Sequence, residues 1–155
     1  MDLQIKGKKA IMAGGSAGMG RATAERLAEA GVDLVITARR KERLEKAAEA
    51  ISAKYKVSVK PIVADSSKAE DRARLLEAWP DPDILAITIK PPAPNGDFLK
   101  VTPDMWRESI DTALIGPIEL MRQYIPHMKN IGWGRIVNIA TFSAKNPMIW
   151  RLMSG

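Results

Sequence analysis

The chain has 155 residues, 46% of them apolar and 27% charged, enough to bury one core and too apolar for a disordered tail or linker. It holds no cysteine and a single histidine, His127, which excludes disulfide frameworks, thiolate nucleophiles, zinc fingers, iron–sulfur clusters and His-rich metal sites. The net charge of +6 comes from Lys and Arg interleaved with acids, so no nucleic-acid tract is expected; with no run near the ~18 apolar residues of a membrane span and no signal-peptide pattern, the expectation is a cytoplasmic protein without a membrane partner.

Short β-type runs alternate with helix-period segments and nothing repeats, which predicts one α/β domain over residues 1–155 with a parallel sheet covered by helices. Lys9 to Ala13 reads as a first buried strand, followed by AGGSAGMG and a helix with Ala24, Leu27 and Ala28 on one face that Gly31 stops. Val32 to Thr37 is a second strand. A charged helix from about Arg40 to Lys54 follows, with Leu44, Ala47, Ala48 and Ile51 on one stripe and Glu42 and Lys46 as a supporting pair. Val57 to Val63 is a third strand, which Pro61 marks as an edge. Ser67 and Glu70 then predict a capping box for a helix ending near Trp79. Ile84 to Ile89 is a fourth strand and PPAPNG a loop, because Pro91, Pro92 and Pro94 cannot donate ladder bonds. Thr102 and Pro103 open a long helix to about Met128, bent or broken near Gly116 and Pro117, before a fifth strand from Arg135 to Ala140.

The sharpest motif is Gly14, Gly18 and Gly20 between a strand and a helix, with Ser16 and Met19 in the same loop. Small residues there let backbone N–H groups approach a pyrophosphate at the positive end of the helix. The spacing G-x-x-x-G-x-G is neither the G-x-G-x-x-G fingerprint nor a Walker loop, and a tight turn that needs glycine only for packing is the alternative. About 20 residues on, where dinucleotide folds meet the adenosine ribose, stand Arg39 and Arg40. A guanidinium attracts a 2′-phosphate, so NADP is favoured over NAD; two solvated arginines opening a charged helix are the alternative.

With the glycine loop, the arginine pair, Asp65 after the third strand and GRIVNIA in the fifth, the chain resembles the short-chain dehydrogenase/reductase family over essentially all 155 residues. The resemblance implies a Rossmann-like, doubly wound parallel sheet of order 3-2-1-4-5, stopping before the family's last two strands. It implies that Asp65 bonds the adenine amino group, unless it only caps the third helix. The implied activity is NADP-dependent hydride transfer between nicotinamide and a carbonyl or alcohol carbon of a small molecule, in the manner of a 3-oxoacyl reductase. A fifth strand left as a bare edge invites association into a dimer or tetramer.

The same alignment exposes departures. The family's N-N-A-G falls on Ile87, Thr88, Ile89 and Lys90, and its catalytic Asn on Ala113. The catalytic Ser falls on Thr141, with Ser143 less well placed, and the catalytic Tyr on Ser154. Serine is too weakly acidic to replace a phenol of pKa ~10, and Lys90 and Lys145, the remaining candidate acids, need strong desolvation to serve. A non-catalytic dinucleotide-binding module is therefore the alternative function. His127 reads as a cation favouring a helix end, and Trp106, spaced with Ile110 and Ala113, as core.

Overall fold

Strands that are apolar on every residue need cover on both faces, and the chain supplies it. The computed structural model describes residues 3–90 and 98–140. Its strands β1 (Lys9–Ala13), β2 (Asp33–Ala38), β3 (Val59–Val63), β4 (Ile84–Ile87) and β5 (Arg135–Asn138) form one parallel sheet of order β3-β2-β1-β4-β5. The helices are α1 (Gly18–Glu29), α2 (Lys41–Tyr55), α3 (Ala69–Ala78), α4 (Pro103–Ile110) and α5 (Gly116–Asn130). Successive strand residues point to opposite faces. Ala10 and Met12 of β1 thus join Leu34 and Ile36 beneath α1 and α2, while Ile11 and Ala13 join Val35, Leu85 and Ile87 against Leu75 of α3 and Leu120 and Tyr124 of α5. Each fully buried Leu or Ile contributes about 1.5–3 kcal/mol, so the central strands β1, β2 and β4 hold the sheet.

The helix stripe Leu44, Ala47, Ala48 and Ile51 is buried as its spacing predicts. Gly31 ends α1 with φ +78°, a conformation that favours glycine. Pro61 sits on the edge strand β3, beside Ile36 of β2. Several expectations are corrected. β4 stops at Ile87, and β5 at Asn138. The ion pair on α2 is Lys41–Glu45 at 4.0 Å rather than Glu42–Lys46. The Ser67–Glu70 capping box does not form: Lys68 is the N-cap of α3, with no side-chain bond, because the Ser67 hydroxyl donates to Asp65 Oδ1 at 2.7 Å instead.

The long helix breaks as a π-turn over Asp111–Ile115. Pro117 has no N–H to continue the α-helical ladder, and a wider turn absorbs the lost bond. The Trp106, Ile110 and Ala113 stripe is not core. Ile110 is 48% exposed and Ala113 is exposed, while Ser109, Thr112 and Gly116 face inward. Small residues are needed on that face because the backbones come close: a Cβ on Gly116 would lie 2.9 Å from Ser66 O. His127 lies half-buried in the last turn of α5.

Tyr124 is fully buried, and its hydroxyl has no hydrogen-bond partner among the described residues. An orphaned buried hydroxyl costs about 1–3 kcal/mol, so Tyr124→Phe is expected to leave stability unchanged or raise it by about 1 kcal/mol in urea unfolding. Burial pushes the Tyr124 phenol up to about 12. Below the unfolded value of ~10 the phenol is neutral in both states. Above it the unfolded chain loses its proton first, so the wild type should lose stability between about pH 10 and 12 relative to Tyr124→Phe.

Candidate functional site

β1 and β2 deliver their carboxyl ends side by side, and the loop after β1 is tied down there. The N–H groups of Gly14 and Gly15 both donate to Thr37 O at 3.0 Å. On the other side, Thr88 N–H donates to Ala13 O at 2.9 Å. Gly14 has φ +90°, and a Cβ on it would lie 2.8 Å from Thr88 O. On Gly20 a Cβ would lie 2.1 Å from Gly14 O and 2.5 Å from Thr88 Oγ1. Gly18 differs, since a Cβ there would meet nothing within 4 Å. Two glycines close the loop onto the sheet and the third borders open space.

That space is a cleft of about 740 Å³ at the carboxyl ends of the strands, where open α/β sheets bind ligands. It is lined by Gly14, Ser16, Gly18, Met19 and Gly20, by Arg39 and Arg40, and by Asp65. Every residue singled out in the glycine loop, the arginine pair and the third strand end is therefore brought to one cleft. α1 enters it with Ala17 as N-cap and no side chain bonded to its first N–H groups, which leaves orphan donors and the positive helix end facing the cleft.

Arg39, Arg40 and a third arginine, Arg43, line one end, and none of them forms an ion pair among the described residues. Asp65 is the acid in the lining. Its Oδ1 accepts from Ser67 N–H at 3.1 Å and from the Ser67 hydroxyl, while its own N–H donates to Asp71 Oδ2 at 2.8 Å. That bond and the Arg74 guanidinium hold the Asp71 carboxyl below the usual carboxylate range. Asp65 thus lines the cleft and shapes the turn into α3, but it does not cap that helix, whose N-cap is Lys68.

Sequence reasoning missed Arg43, Thr88 and Thr112. Arg43 lies in the first turn of α2, three residues past Arg40, a spacing that brings helix side chains together. Thr112 is buried and lines the cleft, whereas Ala113 is exposed; no spacing rule shows that a π-turn will swap them. Thr141, Ser143, Lys145 and Ser154, and the PPAPNG loop, lie outside the described residues. No helix among the described residues is long and apolar enough to cross a membrane.

A family model described as short chain dehydrogenase matches residues 8–153. Among curated proteins, dehydrogenase/reductase SDR family member 4 of Oryctolagus cuniculus is 31% identical over 92% of this chain and 56% of its own length. The 3-oxoacyl-(acyl-carrier-protein) reductase FabG of Aquifex aeolicus is 30% identical over 91% of this chain and 58% of its own length. Among solved structures, L-sorbose reductase from Gluconobacter frateurii, complexed with NADPH and L-sorbose, superposes with a TM-score of 0.92 at 26% identity, covering 99% of this chain and 60% of that one. The chain spans somewhat more than half the length of these relatives.

Proposed function

The chain belongs to the short-chain dehydrogenase family, and we propose that its described residues form the cofactor-binding part of an NADP-dependent oxidoreductase acting on a carbonyl or alcohol carbon of a small molecule. One observation carries the reading: the glycine loop and three arginines that form no ion pair among the described residues share a single cleft. The cofactor fits these residues. Gly18 leaves room for a pyrophosphate at the uncapped end of α1, and the arginines, two just after β2 and one in the first turn of α2, stand as charge partners for a 2′-phosphate. Bound there, the dinucleotide supplies hydride transfer, and the protein supplies binding and orientation. The NADPH held by L-sorbose reductase and the activity named for FabG support the cofactor and a 3-oxoacyl-type substrate.

The chain should bind NADPH at least about tenfold more tightly than NADH, equivalent to ~1.4 kcal/mol. Arg39→Ala should narrow that gap by weakening NADPH alone. Fluorescence titration at matched ionic strength measures both, and equal constants for the unsubstituted chain refute NADP selectivity. Ala113 favours a second reading, a non-catalytic dinucleotide-binding module, because an exposed methyl replaces the family's amide. Ketone-dependent oxidation of NADPH that Thr141→Ala removes would decide against it.

A further inference from the structure

We infer that Lys90 is a cofactor-anchoring cation that meets the pyrophosphate from the β4 side of the cleft. The inference rests on the dinucleotide reading and adds to it a residue and a role.

The sheet register places this lysine. Ala13 pairs with Ile87, and a Cβ on Gly14 would lie 2.8 Å from Thr88 O, so the glycine loop leaves β1 beside Thr88, two residues before Lys90. Adjacent strands lie about 4.8 Å apart, and Lys90 carries its ammonium on a flexible four-carbon stem. It lines the same cleft as the glycine loop, is exposed, and forms no ion pair among the described residues.

Charge accounting assigns its role. The three arginines stand on the β2 side of β1 and Lys90 on the β4 side, so cations flank the glycine loop from both directions. NADPH has two anionic centres, the terminal 2′-phosphate and the central pyrophosphate. The arginines take the first. The pyrophosphate is doubly negative, and the end of α1 offers it only about half an elementary charge. Lys90 is the full positive charge beside the loop that is not already committed to the adenosine end. A glycine, which the family resemblance puts at this position, offers no such charge.

The test is Lys90→Gln in the 155-residue chain, titrated with NADPH, NADH and adenosine 2′-monophosphate, with Lys90→Arg as the charge-conserving variant and Lys129→Gln as a remote control. Both dinucleotides should weaken by about tenfold in Lys90→Gln, with their ratio unchanged. Adenosine 2′-monophosphate, which lacks the pyrophosphate, should bind as before. Lys90→Arg should restore most of the affinity and Lys129→Gln should have no effect. If the unsubstituted chain binds both dinucleotides and Lys90→Gln stays within twofold of it, or if the variant changes only the ratio, the assignment of Lys90 is overturned alone. If the unsubstituted chain binds neither dinucleotide, the reading of the cleft falls, and Lys90 with it.

Discussion

Gly18→Val should lower NADPH affinity by about a hundredfold or more while the chain stays folded. A Cβ at Gly18 touches nothing within 4 Å, so the protein itself raises no steric objection to a side chain. The branched methyls would instead occupy the space in which the pyrophosphate approaches the first N–H groups of α1. The backbone adds a smaller penalty: with φ +53° a β-branched residue is strained by about 1–2 kcal/mol, which should appear as a modest fall in melting temperature. Calorimetric titration beside circular dichroism separates the two effects. Unchanged NADPH binding in a folded Gly18→Val chain would remove the loop from the site.

Gly20→Ala should act in the opposite sense, costing about 3 kcal/mol of stability or abolishing folding. The added carbon would lie 2.1 Å from Gly14 O, and that carbonyl belongs to a loop tied to Thr37 O by two hydrogen bonds. Backbone cannot swing aside as a flexible side chain can, so α1 must move off the sheet. Doing so opens the packing of Ala24 and Ala28 over Ala10 and Met12. Denaturant midpoints of Gly20→Ala and Gly18→Ala, compared side by side, check this. A Gly20→Ala chain with the wild-type midpoint would contradict the close packing of α1 on β1.

Much of the fold is legible because its signals are local. Short continuous apolar runs such as Ala10 to Ala13, closed by glycines, read as strands covered on both faces, and the apolar stripe of α2 follows from helical period alone. The failures share a cause. Ser67 carries every local sign of an N-cap, yet its hydroxyl bonds Asp65, an equally local partner that wins once the turn into α3 takes shape. Trp106 and Ile110 have core spacing, but the face turned inward carries Ser109, Thr112 and Gly116, and Gly116, which opens α5, has no room for a side chain against Ser66.

By itself, the sequence determined the α/β class, the glycine loop at a strand-to-helix junction, and the arginine pair about 20 residues beyond it, because periodicity, turn chemistry and spacing are properties of short segments. It took the tertiary structure to show that Gly14 and Gly20 serve packing while Gly18 borders open space, that Arg43 and Thr112 line the cleft whereas Ala113 does not, and that Lys90 lines the same cleft as the glycine loop. Those distinctions depend on which strands are neighbours and on how a π-turn rotates one helix against the sheet. Contacts between residues as far apart in the chain as Gly20 and Thr88 are set by packing, which no local pattern encodes.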